Sequence, residues 1–281
     1  GEVLRNFTLT LWNTYSFFVT YANLDGWQPD ENAKIEYSLL DQWLLSALHT
    51  LVKDVTQSLE TYDVIGATRP IEQFVDQLSN WYLRRSRRRF WKSGSDTDKQ
   101  AAYATLHEAL VTVSMLLAPT MPFIADELYL NLVGSVNNGS VDSVHLMTWP
   151  KFNPAMINEK LNREMSLVMR LTSLGHAARN KANRKVRQPL SEVAFAVASR
   201  EEAAVLQDYA DLLEDELDVK KVRSLNSASE AVSYALNPLP RPFFLGLTTR
   251  YHLPRQSDVR LRPGRLKIVI NNGFAETRRF A

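Results

Sequence analysis

Apolar residues recur every three or four positions along the first half of the chain, which is the spacing of one buried helix face. Glycine, proline and capping residues separate the periodic stretches, and Ser95 with Asp98 resembles an N-cap pair. The predicted helices are Val3–Leu24, Ser38–Tyr62, Pro70 to Lys92–Gly94, Lys99–Leu117 and a short helix that ends at Leu132. Long amphipathic helices joined by short loops are typical of an up-and-down helical bundle.

The pattern changes after Trp149–Pro150. One long helix is predicted over Pro154–Ala182. Shorter apolar runs then predict strands at Ala194–Ala198, Val219–Leu225 and Ala231–Leu236, around a helix at Glu201–Glu216, and Leu266–Ile270 could form a further strand. We therefore predict a mostly α fold with four parts: a helical bundle over 1–150, a connecting helix with a basic end over 151–190, a small α/β module over 191–236, and an atypical basic tail over 237–281.

The segment Ser79–Trp91 combines five arginines and four aromatic residues within thirteen positions. Arginine presents a planar charged fork that matches phosphate, and aromatic faces stack on unpaired bases, so this mixture is typical of RNA binding. The alternative is a solvated helix face with the aromatic side chains turned into the core, and composition alone gives the two interpretations about equal weight.

A helical wheel divides this segment into two faces. Arg85 and Arg89 continue the apolar face of Ile71, Phe74 and Leu78, so we expect them to line a groove or pair with acids. Asp41 and Glu72 are candidate partners. The side chains predicted to contact RNA are Trp81, Arg84, Arg87, Arg88 and Trp91.

A second basic cluster closes the long helix. Its cations are Arg179, Lys181, Arg184, Lys185 and Arg187, five charges of one sign in nine residues. They could stabilise the negative end of the helix dipole, or they could bind the phosphates of RNA. We include all five among the predicted RNA-binding residues.

Charge is unevenly distributed along the chain, although the net charge is only +2. Residues 241–281 carry nine Lys/Arg against two Asp/Glu, a net of +7, and the remaining residues carry 24 basic and 29 acidic side chains, a net of −5. RNA binding by the main body would therefore depend on local clusters rather than on an overall positive field.

Other classes of chemistry find little support. The chain has no cysteine, and its five histidines are scattered, so we expect no metal site and no disulfide. No apolar run approaches the roughly 18 residues of a membrane helix, so we expect no membrane partner. We expect a soluble, cytoplasmic, monomeric protein, and the absence of an initial Met suggests a piece of something larger.

Several blocks closely resemble the isoleucyl-tRNA synthetase family. They are Trp12–Phe18, Asn80–Trp91, Leu117–Pro119, Pro122–Glu127 and Ala178–Leu190, and they occur in the family's order. The resemblance covers residues 1–236 and implies a class I anticodon-binding helical domain followed by a junction module that also touches tRNA. The catalytic signatures of the family, a His-Ile-Gly-His-like run and a Lys-Met-Ser-Lys-Ser-like loop, do not occur in the sequence.

The resemblance implies a division of labour within a parent isoleucine-tRNA ligase. The catalytic domain would use ATP with Mg²⁺, whereas this fragment would need no cofactor and would have no activity alone. Its partners would be isoleucine tRNA and the catalytic and editing domains of the full-length chain. Valyl- and leucyl-tRNA synthetases share the bundle, and a helical scaffold that binds a protein through its Arg-Trp block is a further alternative. Residues 237–281 depart from the family, either as a non-native end or as a lineage-specific basic tail.

Overall fold

The computed structural model describes residues 4–30, 32–92, 96–134, 142–197, 199–225 and 268–271. The chain divides into two compact units, residues 1–162 and 163–281. The division lies beyond the predicted end of the bundle at 150, because residues after Trp149 still pack on the first unit. Trp149 Nε1 donates to Thr56 Oγ1 at 2.8 Å, and the Asn158 backbone N–H donates to Ser46 Oγ at 2.7 Å.

The first unit is built from six α-helices among its described residues. They are α1 (Leu9–Asp25), α2 (Leu39–Glu60), α3 (Val64–Gln77), α4 (Arg84–Trp91), α5 (Thr97–Leu117) and α6 (Pro122–Tyr129). Helix α2 packs against α3 and α5, and α5 also contacts α1, α4 and α6. The mostly α prediction is therefore confirmed.

Helix boundaries follow local chemistry. Ser38 opens α2 in a capping box, because its hydroxyl accepts the Asp41 N–H while the Asp41 carboxylate accepts the Ser38 N–H. Asp96 is the N-cap of α5, and its side chain accepts from the Lys99 N–H, so the predicted cap at Ser95, outside the described residues, is corrected. Gly26 ends α1 in the left-handed conformation.

A π-helical segment, Leu78–Leu83, joins α3 to α4 without a break. Its hydrogen bonds span one more residue than those of an α-helix, so the helix surface is rotated beyond it. The buried positions of α4 are Ser86 and Phe90, whereas a regular α-helix would place Arg85 and Arg89 there. The two arginines lie instead at the edge of the buried face.

The second unit contains α7 (Glu159–Lys181) from Arg163 onward, two short helices and a small sheet. The helices are α8 (Arg200–Asp208) and α9 (Ala210–Leu217), separated at Tyr209 where a single helix was predicted. The strands are β1 (Glu192–Ala196), β2 (Val222–Leu225) and β3 (Ile268–Asn271). The order is β2-β1-β3, with β2 parallel and β3 antiparallel to β1.

Most of the predicted α/β module is confirmed. Strand β3 lies where an apolar run predicted it. The predicted strand at 231–236, and the tail apart from 268–271, lie outside the described residues.

Candidate nucleic-acid interface

The outer surface of α4 carries a row of exposed cations. Arg84, Arg87, Arg88 and Trp91 are exposed, as the helical wheel predicted. Arg84 Nε donates to the Asn80 carbonyl at 2.9 Å, and neither Arg87 nor Arg88 forms an ion pair with a residue that the structure describes. We call Arg84, Arg87, Arg88 and Trp91 the arginine row. It presents concentrated positive charge to solvent.

Beneath this row, Arg89 is held by carboxylates. Its two terminal nitrogens donate to the two oxygens of Asp41 at 2.8 Å each, a bidentate pair. Arg89 Nε also lies 2.8 Å from Asp98 Oδ1, at ion-pair distance. The predicted partner Asp41 is therefore confirmed, and Arg89 reaches it from the edge of the buried face.

Asp41 is fully buried and accepts further hydrogen bonds. Tyr82 Oη donates to its Oδ1 at 2.6 Å, and the Ser38 hydroxyl donates to its Oδ2 at 2.7 Å. Burial alone would raise the pKa of Asp41, but hydrogen bonds from Arg89, Tyr82 and Ser38 outweigh burial and hold that pKa below its usual range. Burial opposes charge on Arg89 as well, yet the Asp41 carboxylate raises the pKa of Arg89. The pair therefore remains ionised in the folded state.

Trp91 lies at the end of the arginine row with an accessible ring. The side chain is 57% exposed, and its indole N–H donates to Tyr21 Oη at 2.8 Å. Tyr21 packs on Phe17, which meets Phe90 edge-on with centroids 5.3 Å apart. The indole is thus anchored by its edge, and a ring held in this way is suited to stacking on an unpaired base.

Trp81 requires a correction. It is only 6% exposed, and the guanidinium carbons of Arg84 and Arg85 lie 6.0 and 5.6 Å from its ring centroid. Direct RNA contact does not fit a side chain so enclosed. The π-helical segment turns Trp81, Tyr82 and Leu83 inward together, so Trp81 supports the arginines from below. Arg85 is half-buried, and its groove-lining role stays a prediction.

The second basic cluster also combines exposed cations with a buried arginine. Lys181, Arg184, Lys185 and Arg187 are exposed, whereas Arg179 is 1% exposed. The prediction that Arg179 contacts RNA is therefore corrected, because its guanidinium faces backbone carbonyls inside the second unit. Burial lowers the pKa of Arg179, and the nearby Asp218 carboxylate partly offsets this effect.

Sequence reasoning missed the contribution of Tyr21. The available signal was the pair Phe17 and Tyr21, four residues apart and on a different side of α1 from the buried Phe18 and Ala22. Nothing in the sequence, however, shows that this second aromatic stripe meets Trp91, 70 residues away along the chain.

The described residues offer neither a metal cluster nor a membrane-spanning helix. Within those ranges, no three side chains of His, Cys, Asp or Glu are grouped so that they could hold a metal ion. The helices of the described ranges include none with the length and apolar character required to cross a membrane.

Comparisons with known proteins identify the bundle. Residues 41–194 match the family described as the anticodon-binding domain of tRNA ligase. This range covers more than half of the chain and runs from Asp41 in α2, through the arginine row and the second basic cluster, to Ala194 in β1.

Similar relatives are isoleucine–tRNA ligases. The chain is 52% identical over 221 residues to that of Dehalococcoides mccartyi strain ATCC BAA-2266, with 78% of the chain and 22% of the relative covered. It is 47% identical over 241 residues to that of Deinococcus radiodurans, with 85% and 22% covered, and 41% identical over 239 residues to that of Clostridium novyi, with 84% and 22% covered. The chain thus spans about a fifth of the length of these relatives. On the family match across α2 to β1, the chain belongs to the anticodon-binding domains of tRNA ligases.

Proposed function

We propose that this chain is the anticodon-recognition region of an isoleucine–tRNA ligase, and that it binds isoleucine tRNA through the arginine row. The observation that carries the proposal is the family match over 41–194, which includes four exposed side chains suited to RNA: Arg84, Arg87, Arg88 and Trp91. The relatives' names supply the amino acid. Valine or leucine as the cognate amino acid, the alternative considered from the sequence, is disfavoured by these relatives.

The arginine row divides recognition between two kinds of contact. Its guanidinium groups would bind phosphates and base edges, which gives salt-dependent affinity. The Trp91 ring would stack on a base that has left the anticodon loop's own stack. Arg89 and Asp41 contribute by fixing α4 against α2 and α5, so that the row is in place before RNA arrives.

The chemistry of the whole ligase would belong to other parts of the parent chain. ATP with Mg²⁺ would drive ligation there. Among the residues that the structure describes, no three side chains of His, Cys, Asp or Glu are grouped so that they could hold a metal ion. The contribution of this region is positioning: a held anticodon stem restricts where the acceptor end can lie. We expect the chain alone to be monomeric and to show no isoleucine-dependent pyrophosphate exchange.

Binding of an isoleucine tRNA transcript, measured against salt concentration, tests the proposal. Affinity should fall steeply with salt, and a transcript with a changed anticodon should bind more weakly. Arg84→Ala and Arg88→Ala should each make the salt dependence shallower by about one unit, because each removes one phosphate contact. Trp91→Ala should weaken binding by about 1–3 kcal/mol.

Two controls separate this result from loss of structure. Lys53→Ala removes an exposed charge from α2 and should leave the salt dependence unchanged. The melting temperature of Trp91→Ala should stay close to that of the wild type, because the ring is mostly exposed. Absence of tRNA binding at low salt, with a protein partner recovered through the arginine row instead, would support the scaffold alternative and overturn the proposal.

A further inference from the structure

The first unit holds a cavity between α1, the turn that follows α1, and α5. Its volume is about 190 Å³. A protein cavity of about 150 Å³ can take up benzene, so this space is large enough for a small aromatic molecule. Its lining includes three aromatic side chains, one imidazole and two amides: Tyr15, Phe18, Trp27, His107, Asn23 and Asn131. We call this space the ring cavity.

The aromatic wall of the ring cavity is fixed by the end of α1. Gly26 adopts the left-handed conformation, and the Trp27 N–H donates to the Ala22 carbonyl at 2.8 Å, which folds the chain back along the helix. The Trp27 ring stacks on Tyr103, with centroids 5.4 Å apart and an interplanar angle of 20°. It also meets Phe18 edge-on, with centroids 5.7 Å apart. The indole therefore has a defined orientation before any ligand binds.

His107 supplies the ring cavity with a hydrogen-bond acceptor. Its Nε2 lies 3.2 Å from the Leu132 carbonyl oxygen, which can only accept, so the neutral imidazole carries its proton on Nε2. Burial lowers the pKa of His107, and the bond to the Leu132 carbonyl offsets this effect only in part, so the ring is neutral at pH 7. Nδ1 then carries a lone pair, and no residue that the structure describes donates a hydrogen bond to it.

The ring cavity is uncharged and open on one side. None of the described residues that line it is Asp, Glu, Lys or Arg. The nearby Glu127 carboxylate accepts a hydrogen bond from the Asn131 amide at 2.9 Å. Asn23 and Asn131 are both exposed, so a ligand can enter past these two amides. A charged ligand would lose its hydration here without gaining an opposite charge in the lining, which disfavours ions.

We propose that the ring cavity binds a small, neutral, planar ring that carries one N–H or O–H donor, with His107 Nδ1 as the acceptor. Stacking on the aromatic wall would supply most of the affinity, and the hydrogen bond would supply selectivity. The proposal does not depend on tRNA binding. The alternative is that Trp27 only closes the end of α1, as an apolar residue after a left-handed cap often does. That alternative predicts no selective binding.

The first experiment compares two probes of nearly the same shape. Indole has an N–H where benzofuran has an ether oxygen, so only indole can donate to His107. Each probe is titrated into the whole chain at pH 7, and amide chemical shifts are followed by NMR. We expect shifts at Phe18, Trp27 and His107, and roughly fivefold tighter binding of indole, the effect of one neutral hydrogen bond. Equal affinities, or no shifts at these amides, would overturn the proposal.

Charged probes test whether the site selects a neutral ring. Benzoate and protonated benzylamine should each bind about tenfold or more weakly than indole, because the lining offers neither of them an opposite charge. Benzylamine that bound more tightly than indole would reveal an aromatic cage for ammonium groups instead, and would overturn the assignment of a neutral ligand.

Two substitutions test the location of the site and the role of His107. Val19→Phe fills the ring cavity and should weaken binding of both probes about tenfold or more, whereas Val64→Phe, exposed on α3, should leave binding unchanged. His107→Phe keeps an aromatic ring but removes the acceptor, so indole should lose its advantage over benzofuran. Wild-type binding in Val19→Phe, or an unchanged preference for indole in folded His107→Phe, would overturn the proposal. The comparison of probes on the wild type needs no variant and decides the matter even if a substitution prevents folding.

Discussion

Arg89 and Arg179 are both inward arginines that underlie a set of exposed cations, but their partners differ in kind. Arg89 is held by the carboxylates of Asp41 and Asp98, whose negative charges balance its positive charge. Arg179 is held by neutral backbone carbonyls, those of Gln188 in the loop after α7 and of Leu217 in α9, so no bonded carboxylate balances its charge. The first arrangement joins secondary-structure elements, whereas the second shapes a loop that lacks regular structure of its own.

The two arginines show what carboxylate acceptors and carbonyl acceptors each contribute to a fold. A buried carboxylate supplies a strong point attachment between helices, at the cost of desolvating two charges. Carbonyls supply many weaker attachments along a chain, and the planar guanidinium can reach several of them at once because its donors point in fixed directions.

The largest expected effect is at Arg89. Arg89→Met should lower the free energy of unfolding by roughly 3–5 kcal/mol, because it leaves the fully buried Asp41 carboxylate without its main partner. Chemical denaturation of wild type and variant measures the difference. Arg88→Met, one residue earlier and exposed, is the matched control and should change stability by less than about 0.5 kcal/mol. Similar losses in both variants would contradict the division of α4 into two faces.

A smaller effect is expected at Arg179. Arg179→Met should lower the free energy of unfolding by about 1–3 kcal/mol, because carbonyls lose a charged donor but several lie near solvent and can bind water. Lys181→Met, exposed at the end of α7, is the control. Hydrogen exchange should also show faster exchange of the Gln188 and Leu190 amides in Arg179→Met. A loss as large as that of Arg89→Met would remove the contrast between the two arrangements.

The smallest expected effect is a change in folding stability at low pH. Because the pKa of Asp41 is below its usual range in the folded protein, its ionisation stabilises the fold at pH values above about 4, and this contribution is lost as pH falls through the folded-state pKa. The stability difference between wild type and Asp41→Asn should therefore shrink on acidification, by at most about 1.4 kcal/mol per pH unit. A difference that is constant from pH 5 to pH 2 would exclude this coupling.

Helical periodicity predicted much of the bundle because amphipathic helices bury one face. It identified the exposed side of α4, and Asp41 was a correct partner of Arg89 because it lies on the buried side of α2. The wheel did not place Trp81 on either face; that residue was assigned to RNA contact as part of the arginine-aromatic segment, and the structure buries it within the π-helical segment. The resemblance to a family, by contrast, was carried by residue blocks rather than by periodicity.

The burial of Arg179 could not have been predicted from its neighbours in sequence. It lies within a run of exposed cations and resembles them in composition. What distinguishes it is the pair of carbonyls at Leu217 and Asp218, almost forty residues later, and no local pattern reports such acceptors. Backbone carbonyls carry no side-chain signature, so an arginine that binds them cannot be identified from residue types.

The π-helical segment Leu78–Leu83 makes the helical register before α4 a determinant of which side chains that helix exposes. Each residue turns an α-helix by about 100°, and the wider π-helical turn delays this rotation by about one residue. If the same residues formed regular α-helical turns, Arg85 and Arg89 would move toward the centre of the buried face, and the outward set would change without any change in composition or charge. Removing one residue from the segment would let regular α-helical turns form while Ser86 and Phe90 stay buried. Relatives that differ here by one residue should therefore be compared by register before they are compared by residue type.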